Sequence, residues 1–242
     1  MKYIEKDFSS DAVVKFCAEL KENRLDKESL SDPSVHPTLT GPKVYNQVCS
    51  FRYFNALKEQ MYKDQGGICC YCGQKLTTSS YFSPYIVEHV IPKSECRQLA
   101  GEYENLLLSC RSDLKEEGQQ ELNKKNKEGW HCDKRKGNHR LTYNPLQREC
   151  GDHFRYLESG DIDGNDELAK KDIKTLGLDC KYLVKRRKMA IDTILHDEDG
   201  NLLADEVLEQ YLQVIMNRKP DNTFREFCFV IAGALNNFLH NR

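Results

Sequence analysis

The chain has 242 residues, 31 % of them charged, yet its formal net charge is only −2, so it is long enough to bury a real core and any positive surface for nucleic acid must be gathered locally. The opening Met1-Lys2-Tyr3-Ile4-Glu5-Lys6 has no apolar leader and the longest apolar run, Phe227 to Leu235, is far short of the roughly 20 residues that span a bilayer, which predicts a soluble protein with no membrane partner. Eleven cysteines without a secretion signal favour metal ligands and buried thiols in a reducing, cytoplasmic compartment over a disulfide framework.

The spacing predicts a first helix from Ser10 to Glu22, with Val13, Phe16, Cys17 and Leu20 on one face. A Pro-, Ser- and Thr-rich loop runs from Ser31 to Pro42 and interrupts that pattern. Val44, Val48, Phe51, Phe54, Leu57 and Met61 then recur at helical spacing, predicting one helix from Val44 to Lys63 that Gly66-Gly67 ends. From Cys69 to Gly137 the helical period fades, and β-prone segments occur at Tyr81 to Val90 and Leu106 to Ser109. The hydrophilic stretch Arg111 to His131 reads as a surface excursion. Helices are expected again at Asp166–Leu176, Leu183–Leu195, Asp205–Met216 and Thr223–Leu239, the last with Phe224, Phe227, Cys228, Ile231, Leu235 and Phe238 on one stripe. The chain thus divides into an N-terminal helical region (1–65), a cysteine-framed core (66–150) and a C-terminal helical region (151–242). The fold class expected is α+β and mainly α-helical.

Cys69-x-x-Cys72, followed by Gly73, is a tight turn that presents two thiolates to one tetrahedral ion. Cys110, after an apolar strand, and Cys132, before a basic segment, would close a structural zinc site. His131 could take the place of Cys132, and buried free thiols are the plainer alternative for any of them. Cys17, Cys49, Cys96, Cys150, Cys180 and Cys228 have no paired spacing and read as packing residues.

Between the cysteines lies Glu88-His89. Hydrolysis of a phosphodiester needs an activated water and a cation on the scissile phosphate. A neutral imidazole can take the water's proton, since its ordinary pKa is about 6.5. Neighbouring residues on a strand face opposite ways, so Glu88 and His89 can serve one site only if a bend lets each reach it from its own side. Glu88 would then bind the cation, with Asp133 as a second oxygen ligand, and two carboxylates favour Mg²⁺ or Mn²⁺ over a soft metal. Asn105 carries a donor and an acceptor able to tie down the loop that bears His89. Lys134, Arg135, Lys136 and Arg140 follow Asp133, and a helix starting there would bring them toward a phosphate backbone; a solvated basic face is at least as good a reading for each of them. Lys185-Arg186-Arg187-Lys188 reads as a second solvated basic face. The acidic loops Asp161–Asn165 and Asp197–Asn201 lack the Gly and Glu positions of an EF-hand and read as turns.

In Gly66-Gly67-Ile68-Cys69 through Cys72-Gly73, Glu88-His89-Val90-Ile91-Pro92-Lys93, Glu104-Asn105-Leu106-Leu107-Leu108-Ser109-Cys110 and Cys132-Asp133-Lys134-Arg135-Lys136-Gly137, the chain resembles the HNH (ββα-metal) nucleases. The resemblance implies a ββα-metal core braced by zinc, His89 as general base, Glu88 and Asp133 as ligands of one divalent ion, and Asn105 as a positioning residue. Asp133 stands where that family usually has His or Asn, and the stretch between Cys110 and Cys132 is unusually long. Over most of its length the chain is also similar to the HNH subunits of Septu-type antiphage systems, through Met1 to Lys6, Gly160-Asp161-Ile162, Leu176-Gly177-Leu178 and Arg186-Arg187. That likeness implies a bacterial defence effector whose partner is an ABC/SMC-like ATPase subunit. Some such subunits accompany retrons, which implies a retron reverse transcriptase and its RNA/DNA as further partners. DNA is the default substrate expected, with RNA such as tRNA open to the same chemistry. The rival reading is a non-catalytic zinc module that binds nucleic acid or a partner; both need the cysteines, and only the enzyme needs Glu88, His89 and Asp133.

Overall fold

The computed structural model describes residues 1–76, 85–112 and 129–240. Nine α-helices and four short strands occur among them. The helices are α1 (Asp11–Glu22), α2 (Lys27–Ser31), α3 (Gly41–Val48), α4 (Phe54–Gln65), α5 (Asp133–Lys136), α6 (Glu167–Leu176), α7 (Lys181–Leu195), α8 (Asp205–Val214) and α9 (Cys228–His240); the strands are β1 (Tyr85–His89), β2 (Leu106–Cys110), β3 (Phe154–Tyr156) and β4 (Ile162–Gly164). The class is therefore α+β with helix predominating. Each sheet is a two-stranded antiparallel pair, β1 with β2 and β3 with β4.

The expected single helix from Val44 to Lys63 is two helices. Residues 49–53 break it, because the Glu19 carboxylate of α1 accepts the backbone N–H groups of Arg52 (2.9 Å) and Tyr53 (3.2 Å). A carboxylate at the start of α4 satisfies amides that have no partner inside that helix. The apolar period survives the break because Val44, Val48, Leu57 and Met61 all enter the same core. Gly66, at φ 60°, ends α4 in the left-handed conformation that glycine adopts without a Cβ penalty. The last helix begins at Cys228, not Thr223. Its expected first turn is drawn out by hydrogen bonds from Phe224 N–H to Gly66 O and from Phe227 N–H to Gly73 O, both 2.8 Å. The Tyr81–Val90 segment is a strand from Tyr85 to His89; its first four residues, like most of the 111–131 excursion, lie outside the described residues. The two ends of that excursion are clasped by Ser112, whose hydroxyl donates to His131 O (2.7 Å) and accepts from His131 N–H (3.0 Å).

Buried apolar residues from Met1 to Leu235 form one connected cluster that all three sequence regions share. All five residues of β2 are buried. One of its edges pairs with β1, in a register that sets Glu88 opposite Leu107 and His89 opposite Leu106. Gln65, at the end of α4, works as a surrogate strand on β2: its amide accepts from Leu108 N–H (2.7 Å) and donates to Leu108 O and Ile68 O (2.9 Å each). Cys70 N–H also donates to Leu108 O. The cysteine turn is thereby fastened to the strand that carries Cys110.

Candidate functional site

Four thiols meet where this turn, the end of β2 and the start of α5 converge. The Sγ atoms of Cys69, Cys72, Cys110 and Cys132 all lie within 4.8 Å of one another, and all four residues are buried. Cys69 and Cys132 are 3.8 Å apart and Cys72 and Cys110 are 3.7 Å apart. Thiolates at about 2.3 Å from a common tetrahedral ion stand about 3.8 Å from each other, so the cluster has the dimensions of a zinc site.

Local backbone shape builds each half. Cys69 N–H bonds to Gln74 O and Gly73 N–H to Cys69 O, closing a knuckle whose reversal requires Gly73 at φ 81°. A Cβ at Gly73 would come within 2.7 Å of the Phe229 ring. Cys110 N–H points at Cys69 Sγ (3.3 Å). Cys132 is held at φ 55°, a left-handed conformation that costs a non-glycine residue on the order of 1–3 kcal/mol. Its N–H is anchored on Leu176 O at 2.8 Å. His131 stands beside the cluster, not in it: Nδ1 lies 3.3 Å from Cys132 Sγ and 3.6 Å from Cys110 Sγ, and burial pushes its pKa down to about 4. Cys70 is buried too, with its thiol against Cys69, but is not one of the four that share the group.

A cleft of about 180 Å³ opens next to the cluster, lined by Glu88, His89, Pro92, Lys93, Asp133, Lys134, Gly137 and Asn138. Strand β1 ends at His89, and that ending is the bend that lets consecutive side chains share one cavity. His89 Nε2 donates to Ala100 O (3.0 Å). A carbonyl can only accept, so Nε2 carries the proton and Nδ1 keeps its lone pair. The ring packs edge-on against Tyr45 of α3, with centroids 4.5 Å apart. Burial, helped by the charge of Lys93, lowers its pKa to about 4, so the imidazole is neutral at pH 7.

Glu88 is 2 % exposed. Its Oε1 accepts from the Tyr71 hydroxyl (2.8 Å) and lies 2.6 Å from the ammonium of Lys136. Burial and the adjoining Asp133 carboxyl push its pKa up to about 8 against the pull of Lys136. Two carboxyls meeting at the wall of one cleft form a donor set suited to a hard divalent cation.

Asn105 does not line this cleft. It is buried behind it, accepting from Ile91 N–H (2.7 Å) and donating to Ile91 O (2.9 Å) and Leu99 O (3.1 Å). These bonds fix the turn after β1 and the segment that carries Ala100, and so hold both ends of the His89 hydrogen bond.

The basic residues expected at a phosphate backbone part company. Lys136 is 1 % exposed, bound to Glu88 and to His89 O (3.0 Å); the expectation that it reaches nucleic acid is corrected, because its charge is spent inside the protein. Arg140 is exposed and paired with Glu95 at 3.1 Å. Lys134 lines the cleft, whereas Arg135 is half-buried and does not. The helix expected here is a single turn that stops at Gly137 (φ 56°), so its macrodipole is small. The second basic face is solvated at Lys185 and Lys188, which are exposed, and is corrected at Arg187. Arg187 is 1 % exposed and donates to Gly160 O (2.7 Å) and Leu178 O (2.8 Å), and Arg186 pairs with Glu226 (2.9 Å).

Sequence reasoning missed Tyr45, Tyr71, Lys93 and Asn138. Only Lys93 carried a signal, its place four residues after His89; the others reach the site from elements whose packing the sequence does not spell out. Compared with known proteins, the chain matches no family model and no curated protein. No helix among the described residues is long and apolar enough to cross a membrane.

Proposed function

We propose that this protein is a metal-dependent nuclease of the HNH type, cleaving phosphodiester bonds in the cleft beside a structural zinc. One observation carries the reading: Glu88, His89 and Asp133 line a single cleft, and Asp133 directly follows Cys132 of the four-thiol cluster. A non-catalytic zinc module has no need of a neutral imidazole with Nε2 tied to a carbonyl and a buried carboxyl beside another. The antiparallel pairing of β1 with β2, and the presence of α5 at Asp133, support the ββα reading.

Cys69, Cys72, Cys110 and Cys132 would hold zinc, and Glu88 and Asp133 would hold Mg²⁺ or Mn²⁺. The divalent ion supplies charge neutralisation at the phosphoryl oxygens and the leaving oxygen. His89 Nδ1 takes a proton from the attacking water as the new P–O bond forms and the bond to the leaving oxygen breaks. An imidazole of pKa about 4 is a weak base. Entry of the anionic phosphate beside it raises its proton affinity toward the range useful at neutral pH. Lys93 and Lys134, which line the cleft, would meet the flanking phosphates, giving affinity without base reading. DNA is the default substrate. The Septu-type likeness supports action in the cytoplasm with an ABC/SMC-like ATPase subunit, and with a retron reverse transcriptase and its RNA/DNA where one is present, as an antiphage effector.

The test is cleavage of duplex DNA and, separately, of tRNA, by wild type and His89→Ala, alone and with such an ATPase, in Mg²⁺ or Mn²⁺ and in EDTA. Metal-dependent cleavage that falls at least 100-fold, roughly the least expected from loss of a general base, is the expected result. Equal inertness of both proteins, with zinc bound and the fold intact, would transfer the assignment to a zinc-bearing binding module.

A further inference from the structure

Lys136 is the feature of the cleft that the proposed chemistry leaves unused. Its ammonium is buried, 2.6 Å from Glu88 Oε1, and donates to His89 O at 3.0 Å. A buried ion pair is a poor way to gain stability, because desolvating both charges offsets most of their attraction, and apolar side chains of similar volume would hold the same space. Its presence therefore calls for an electrostatic reason.

The charges around the carboxyls supply one. Ionised Glu88 and Asp133 contribute two negative charges and Lys136 one positive, a net of minus one. A divalent ion changes that to plus one in a buried setting, and Lys93, which also lines the cleft, adds charge of the same sign. A phosphodiester carries one negative charge and brings the inner set to zero. Tyr71 and Lys136 both engage Oε1 of Glu88, and the same carboxyl adjoins that of Asp133. We infer that Lys136 makes divalent-ion binding conditional on substrate: its fixed positive charge keeps the Glu88–Asp133 site weak until a phosphodiester enters, so that metal and nucleic acid bind with positive coupling. This inference rests on the proposed nuclease reading. Coupling is reciprocal, so the ion would tighten nucleic acid by the same factor.

The experiment measures Mn²⁺ affinity by electron paramagnetic resonance on the zinc-loaded full chain, with and without duplex DNA. Every sample carries His89→Ala so that the duplex stays whole. The variants added are Lys136→Met, Lys136→Gln, Lys136→Arg, Glu88→Gln and Asp133→Asn, each checked by thermal melting. In protein alone, Lys136→Met should bind Mn²⁺ at least about tenfold more tightly than the parent, since an ammonium beside a dication in a partly desolvated site repels it by at least that much. Duplex DNA should tighten Mn²⁺ at least about tenfold in the parent and by less in Lys136→Met. Lys136→Arg keeps the charge and should match the parent. Lys136→Gln keeps a hydrogen-bond donor, repeats the neutral test and replaces the Met variant should that one fail to fold. Unchanged or weaker Mn²⁺ binding in the neutral variants, with binding lost in Glu88→Gln, overturns the role of Lys136 and leaves the metal site standing. Mn²⁺ binding that neither Glu88→Gln nor Asp133→Asn alters overturns the metal-site reading, and this inference with it.

Discussion

Replacing Cys132 by Ser tests the metal centre where the geometry makes the sharpest demand. Cys132 contributes one of four thiols packed within 4.8 Å, and its backbone is held at φ 55° by an arrangement that a bound ion would justify. Serine keeps the size and removes the soft ligand, so three thiolates and a poor fourth donor remain. An ion present at about 1,000 times its Kd contributes about 4 kcal/mol of stability, and 1 kcal/mol moves the Tm of a chain of this size by about 2–4 °C. Loss of the site should therefore lower Tm by about 8–16 °C. Zinc content, measured by atomic emission on protein purified without added metal, should fall from one equivalent toward zero. Two controls separate ligand loss from general damage to a buried thiol. Cys70→Ser alters a buried cysteine outside the group and Cys49→Ser an exposed one; both should keep one zinc. A Cys132→Ser protein that retains a full equivalent, or wild type purified with none and no Tm response to added zinc, would falsify the four-thiolate assignment.

Other consequences are equally concrete. Asn105→Ala removes three hydrogen bonds and strands the Ile91 and Leu99 groups; it should cost about 2–4 kcal/mol in urea unfolding and lower cleavage at least tenfold while zinc content holds. The pH dependence follows from Glu88, whose pKa is raised to about 8. A raised folded pKa means that its contribution to stability is fully present below the ordinary carboxyl range and is lost as pH rises through about 8, so protein free of the divalent ion should lose stability over that window. Added Mg²⁺ competes with the same proton, so its affinity should climb over that window and binding should release protons in calorimetry across buffers of different ionisation enthalpy. A flat profile on both counts would remove Glu88 from the metal site. Arg187→Met should lower stability by about 2–4 kcal/mol, because Gly160 O and Leu178 O lose their donors inside the core; a change under 1 kcal/mol in urea titration would contradict the buried role.

Local signals were enough for much of this molecule. Helical spacing marked α1, α6, α7 and α8 to within a few residues because each buries one stripe, and Gly66 and Gly177 closed their helices through the left-handed conformation open to them. The Cys-x-x-Cys turn declared a ligand pair for the same reason, since all its geometry lies within five residues. Spacing could not show that α3 and α4 are separate, because the cap that divides them is Glu19 on another helix. Nor could it place Lys136 and Arg187, which read as solvated charges and are buried: a side chain's sequence neighbours say nothing of what packs over it. The candidate cleft divides along the same line. Glu88, His89, Asn105 and Asp133 stood out by residue type and order. Tertiary structure alone supplied Ala100 O and Tyr45 around His89, Tyr71 and Lys136 on Glu88, and the meeting of Cys69 with a thiol 63 residues away. Periodicity records which face of an element is apolar, and turn chemistry records where the chain reverses. What lies opposite that face depends on contacts between residues far apart in the chain, and there the environment of each charge, and with it the chemistry of the cleft, is decided.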